Sequence, residues 1–121
     1  MVSSTLIVDD DADIRTLLRV LIEDAGHGLE VAGEAANGAD AVRLWRETAP
    51  DVIVLDQAMP GLSGMDVAEI ILGERPDQAI VMFTANPDDY ELCWATRRGV
   101  RAVLDKPHWS SLIDTLCRFT P

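Results

Sequence analysis

Four short, unbroken apolar runs recur along the chain: Leu6-Ile7-Val8, Val52-Ile53-Val54-Leu55, Ile80-Val81-Met82-Phe83 and Val103-Leu104. None alternates with polar residues. A strand that reads this way is covered on both faces, the condition of strands inside a parallel sheet. Residues 29–33 form a fifth, weaker strand candidate. Helical periodicity fills the gaps between runs. Ile14, Leu17, Leu18, Leu21 and Ile22 mark one stripe after the first run, with Asp11 as cap and Asp13 as first-turn anion. Further helices are expected over residues 39–47, 65–72, 88–98 and 110–118, and Pro50, Pro76 and Gly99 punctuate three of their ends. Five strand–helix units in alternation predict a doubly wound α/β domain, (βα)5, with helices on both sheet faces.

A chain of 121 residues fits one such domain, here spanning 1–121. With 48% hydrophobic residues it can fill a core, which excludes a disordered tail. No apolar run reaches the roughly 18 residues that cross a bilayer, and the first residues lack the basic and apolar blocks of a signal peptide. A cytoplasmic protein is therefore expected. The formal net charge of −11 opposes direct binding to nucleic acid or to anionic lipid. Cys93 and Cys117 show no metal-site spacing and read as reduced, packed thiols.

In a doubly wound sheet, chemistry gathers at the carboxyl ends of the strands. Asp9, Asp10 and Asp11 follow Val8, Asp56 follows Leu55, Thr84 follows Phe83, and Asp105 and Lys106 follow Leu104. Clustered carboxylates resist joint ionisation unless a cation lies among them, and hard oxygen ligands with open positions suit Mg²⁺. One carboxylate can then attack phosphorus to give an acyl phosphate, while a hydroxyl and an ammonium cradle the phosphoryl oxygens. Lys106 is the single lysine of the chain, and an ammonium is a compact point charge where a guanidinium is a planar fork.

Val8-Asp9-Asp10, the run from Val54 through Asp56 to Gly61, Phe83-Thr84-Ala85 and Lys106-Pro107 resemble the receiver domains of two-component response regulators, the CheY-like superfamily. Their order and separations agree as well. The resemblance covers essentially the whole chain and implies a flavodoxin-like sheet with strand order 2-1-3-4-5. It implies that Asp56 is the phosphoacceptor. Asp10 and Asp56 would ligate Mg²⁺ through side chains, Ala58 through its backbone carbonyl and Asp9 through a bound water. Thr84 would hydrogen-bond the phosphoryl group and Lys106 would pair with it. A sensor histidine kinase or phosphotransfer protein would supply the group, and an output domain or partner protein would read the surface of the fourth helix, fifth strand and fifth helix. Such a chain is a signalling switch rather than a conventional enzyme, and it reads either as a stand-alone regulator or as one domain of a longer protein. The stretch from Val31 to Gly38 also resembles receivers that precede helix-turn-helix output domains. The Lys106–Pro107 bond is often cis in this family.

Several positions depart from the family or invite a second reading. Val103 stands where an aromatic switch residue is usual, so the signal is expected to travel by backbone shifts around Thr84 and the helix after it. Asn86 either orders the water that removes the phosphoryl group or caps a helix opened by Pro87. Trp45 belongs to the core by its spacing, whereas Trp94 and Trp109 fit either packing or a partner surface. Arg97, Arg98 and Arg101 offer pairing to Asp88, Asp89 or Glu91 across a homodimer, against the default of a solvated face. His27 reads as a loop residue and His108 as a surface imidazole. A calcium loop beginning at Asp9 fails at its sixth and twelfth positions, Ile14 and Val20. A phosphatase with a first-strand aspartyl nucleophile is disfavoured because Asp56 lies on the third strand. A flavodoxin is disfavoured because no glycine-rich phosphate loop is present, and a receiver that no longer accepts phosphate because the acceptor residues are all in place.

Overall fold

The computed structural model describes residues 2–26, 28–106 and 108–120. Five strands and five helices alternate: β1 (Ser3–Val8), α1 (Ala12–Asp24), β2 (Leu29–Ala35), α2 (Gly38–Thr48), β3 (Val52–Leu55), α3 (Gly64–Glu74), β4 (Ala79–Thr84), α4 (Asp89–Arg98), β5 (Ala102–Asp105) and α5 (Trp109–Arg118). All strand pairings are parallel, in the order β2-β1-β3-β4-β5. This is the expected (βα)5 fold, and it puts β3 at the centre, flanked by β1 and β4, with β2 and β5 at the edges.

The alternation of side chains along each strand divides the core into two layers. Leu6, Val8, Ile53, Leu55, Ile80 and Met82 face Ala41 and Trp45 of α2, Val67 and Ile71 of α3 and Ala95 of α4. Ile7, Val52, Val54, Val81 and Phe83 face Leu18 and Ile22 of α1 and Leu112 and Leu116 of α5. Burying one such aliphatic or aromatic side chain stabilises the fold by about 1.5–3 kcal/mol. That is why the central runs carry no polar residue on either face. Trp45 is buried as its spacing predicts, and its Nε1–H donates to the buried Gln78 Oε1 at 2.9 Å.

Local signals start the helices where expected. The Asp11 carboxylate accepts from the Asp13 and Ile14 amides, Asn37 caps α2, and Ser63 and Asp66 form a reciprocal capping box on α3. The first helix buries less of its stripe than its pattern predicts. Leu18 and Ile22 are fully buried, whereas Leu17 is 41% exposed. Leu17 sits about 100° round the helix from Leu18, beyond the contact line of a helix over the edge of the sheet. Among the described residues, no helix is long and apolar enough to cross a membrane.

Candidate functional site

Backbone bonds carry the parallel ladder just past the ends of the strands and so fix the first residues beyond them. The Asp9 amide donates to Ala35 O at 3.1 Å, the Asp56 amide to Val8 O at 2.9 Å, and the Lys106 amide to Thr84 O at 3.0 Å. Four of the expected site residues are thereby set side by side at one end of the sheet. Asp9, Asp56 and Thr84 are 2%, 5% and 3% exposed, while Asp10 is open to solvent.

Carboxylate oxygens of Asp9, Asp10 and Asp56 all lie within 4.8 Å of one another. Lys106 Nζ contacts Asp9 Oδ2 at 2.7 Å and Asp56 Oδ1 at 3.5 Å. One ammonium thus pairs with two of the three carboxylates, and Asp10 is left outside its reach. Burial pushes the Asp56 carboxyl above its ordinary range and the Asp9 carboxylate pushes it further; Lys106 and a hydrogen bond from Thr84 pull it back, and Asp10 adds a smaller upward push. The site therefore lacks positive charge. Its donors are hard oxygens, and a divalent cation of the Mg²⁺ type fits that donor set.

A family profile described as the response regulator receiver domain matches residues 5–116. The chain belongs to the response regulator receiver family. It is 35% identical over 108 residues to the chemotaxis protein CheY of Thermotoga maritima, covering 89% of this chain and 88% of that one. It is 35% identical over 116 residues to the transcriptional regulatory protein AfsQ1 of Streptomyces coelicolor, covering 95% of this chain but only 49% of that longer protein. In three dimensions it is similar to the Vibrio cholerae chemotaxis protein CheY4, with a TM-score of 0.88, 27% identity, and 98% of this chain and 99% of that one covered. The fold and the receiver assignment read from the motifs both hold.

Other residues of this receiver support the site without having been singled out by its sequence. Arg15 Nη1 donates to Asp9 O at 2.8 Å and its Nε pairs with Glu34 at 3.4 Å, so α1 holds the acidic turn from behind. The Asp11 amide donates to Asp9 Oδ1 at 2.9 Å. After Asp56 the chain folds back on itself: the Gly64 amide donates to Gln57 O at 3.0 Å and the Met65 amide to Gln57 Oε1 at 2.7 Å. A Cβ on Gly64 would stand 2.3 Å from Asp56 O, so only glycine allows this approach. A glycine at the start of a helix was the visible signal for Gly64; nothing local announced Arg15.

The remaining expectations divide. Ala58 is exposed in the turn after β3. Val103 is half-buried and packs against the core layer that also holds Trp94. Trp109 is half-buried and meets Phe83 edge-to-face at 5.0 Å, while the Arg98 guanidinium lies 5.6 Å over the Trp94 ring. Two of the arginines weighed for a homodimer have partners within the chain: Arg98 pairs with Glu69 at 3.1 Å, and Arg101 donates to Asp77 O. Asn86 does not cap α4. Its backbone is left-handed, with φ +48°, and Asp88 caps instead by accepting from the Glu91 amide at 2.8 Å. A cap needs extended backbone, which Asp88 has and left-handed Asn86 lacks, so the helix starts beyond Pro87. Cys93 is exposed rather than packed, because Ala95 two residues on is the side chain that α4 turns to the sheet. His108 is exposed, as expected. The Lys106–Pro107 bond and His27 lie outside the described residues.

Proposed function

We propose that Asp56 accepts a phosphoryl group from a phosphohistidine on a sensor kinase or phosphotransfer protein. The observation that carries this reading is the gathering of Asp9, Asp10 and Asp56 within 4.8 Å, with Lys106 reaching two of them. An Asp56 carboxylate oxygen forms a bond to phosphorus as the nitrogen–phosphorus bond of the donor breaks, and its electron pair leaves with the imidazole. The Thr84 hydroxyl, whose side chain already lowers the Asp56 carboxyl's pKa, donates to a phosphoryl oxygen. Lys106 gives up its contact with Asp9 and pairs with the new charge, close to −2 at neutral pH. Asp10 and Asp56 would hold Mg²⁺ through side chains, Ala58 through its carbonyl and Asp9 through a water; the ion supplies charge withdrawal from the phosphoryl oxygens.

The chain chemically modifies its own side chain and is a switch rather than an enzyme acting on a released substrate. Phosphorylation favours a second conformer that already exists in equilibrium, and the surface around α4, β5 and α5 presents the difference to an output domain or partner, or to a second copy of the chain. With Val103 in place of a ring, the change passes through the backbone after Thr84. The family and the acidic balance of the chain fit a cytoplasmic protein that does not itself bind nucleic acid. Incubation with acetyl phosphate and Mg²⁺ followed by intact mass tests the reading. A gain of one phosphoryl group that disappears in Asp56→Asn is expected. An undiminished gain in that variant, or none in the parent chain, refutes it.

A further inference from the structure

Asp105 is the register partner of Thr84 across the β4–β5 pair. The backbone after it bonds to the end of β4 and closes its own turn: the Lys106 amide donates to Thr84 O at 3.0 Å, and the His108 amide donates to Asp105 O at 2.9 Å. Its side chain does something the ladder does not require. Asp105 Oδ1 accepts from the Asn86 amide at 2.9 Å, across 19 residues of chain. Asn86 has φ +48°, a left-handed conformation that asparagine tolerates better than most residues but that still needs outside support. Asp105 is half-buried and Asn86 is exposed, so this bond forms at the rim of the site.

We infer that Asp105 is a positioning residue for phosphoryl transfer to Asp56, clamping the loop that carries Thr84 onto the loop that carries Lys106. The inference rests on the phosphoacceptor reading above. Asp105 touches neither Asp56 nor the incoming group. It fixes the separation between a hydroxyl from the end of β4 and an ammonium from the end of β5, the two groups that must reach the same phosphoryl oxygens. Without an acceptor at this position, residues 85–88 lose the bond that holds their left-handed turn, and Thr84 and Lys106 spend less time in register. The identity of the acceptor atom matters here; the charge of the side chain does not.

The test uses acetyl phosphate with Mg²⁺ on the whole chain. A carboxylate oxygen of Asp56 forms the bond to phosphorus while the donor's phosphorus–oxygen bond breaks and acetate leaves with the electron pair. Rates of mass gain are compared for the parent, Asp105→Ala and Asp105→Asn, alongside NMR hydrogen exchange of the Asn86 amide and the melting temperature. Asp105→Ala should phosphorylate about three- to tenfold more slowly, the factor associated with one hydrogen bond of this class, and lose protection at Asn86. Asp105→Asn retains an acceptor oxygen and should restore both the rate and the protection. Equal slowing in both variants would assign the effect to charge and overturn the inference, as would parental rates in Asp105→Ala or slowing with Asn86 still protected. If the parent chain takes up no phosphoryl group, the phosphoacceptor reading fails instead, and Asn86 exchange still decides whether Asp105 holds the loop.

Discussion

Gly64 gives the most direct way to disturb Asp56 without touching its side chain. A Cβ built there would lie 2.3 Å from Asp56 O, 2.8 Å from Gln57 Cα and 2.9 Å from Asp56 C. Carbon and a carbonyl oxygen approach to about 3.3 Å at closest, so Gly64→Ala requires a displacement of roughly 1 Å. All three obstructing atoms are backbone, and none can swing aside as a side-chain end would. Either α3 lifts away from β3, exposing Val67 and Ile71, or the Asp56–Gln57 peptide moves. Overpacking of this kind costs about 1–3 kcal/mol. With a urea m-value of about 1–3 kcal/mol/M, the unfolding midpoint should fall by about 1 M. A misplacement of about 1 Å at a reacting group can slow its chemistry about a hundredfold, so phosphorylation from acetyl phosphate should nearly vanish even where the chain is still folded. Gly73 on the same helix has nothing within 4 Å of an added Cβ, and Gly73→Ala should stabilise by about 0.5–1 kcal/mol with its phosphorylation rate intact. A Gly64→Ala chain as stable and as readily phosphorylated as Gly73→Ala would refute the reasoning.

Two further outcomes concern buried polar groups. Burial and Asp9 raise the Asp56 carboxyl above its ordinary value near 3.8, so between that value and the raised one the folded chain holds more protons than the unfolded chain. Asp56 therefore subtracts stability as pH rises through that window, and the full penalty persists at neutral pH. Asp56→Asn should be more stable than the parent at pH 7 by about 0.5–2 kcal/mol, with the gap narrowing on acidification; urea midpoints showing a constant gap at every pH would contradict this. Trp45→Phe leaves the buried Gln78 Oε1 without its donor and should cost about 1–3 kcal/mol in the same assay. Because Gln78 precedes β4 at the opposite end of the sheet from Asp56, phosphorylation by acetyl phosphate should be unchanged, and a matching loss of phosphorylation would count against that separation.

The legible parts of this chain are those where one physical demand acts alone. Val52–Leu55 is covered on both faces, so its four apolar residues state their own environment. Asp11 announces α1 because a cap needs only the amides of the next turn. The site was legible for a related reason: in a parallel sheet, position along the chain and position at the strand end are the same information. Where two demands compete, the pattern misleads. Ser3 and Thr5 extend β1 and are buried although neither is apolar, and Leu17 is apolar although it is largely exposed. Arg15, Gly64 and Asp105 matter through contacts set by how α1 docks, how the chain turns after β3 and how β5 lies beside β4. None of these is a local property. Asn86 shows the cost of reasoning locally, since the nearby Asn-Pro signal suggested a cap while the bond that shapes Asn86 comes from 19 residues away.

The unequal anchoring of the molecule indicates where a charge added at Asp56 has its effect. β1, β3 and β4 are interior and almost wholly buried, and α2 and α3 each bury four or more residues. By contrast α4 fully buries only Ala95, exposes Tyr90 to 70%, and is tied to α3 by an exposed Arg98–Glu69 pair of a class worth little. All four residues of β5 are half-buried at the sheet edge. Few buried contacts mean a low free energy for local rearrangement, so α4 and β5 can move while the fully buried strands of the sheet cannot. Thr84 is the last residue of β4 and its side chain acts on the Asp56 carboxyl; a pull on its hydroxyl is therefore applied where buried β4 leads into the weakly anchored α4. A chain organised this way needs no swinging ring at position 103 to report on Asp56, because the backbone that carries Thr84 leads straight into the helix with the least holding it in place.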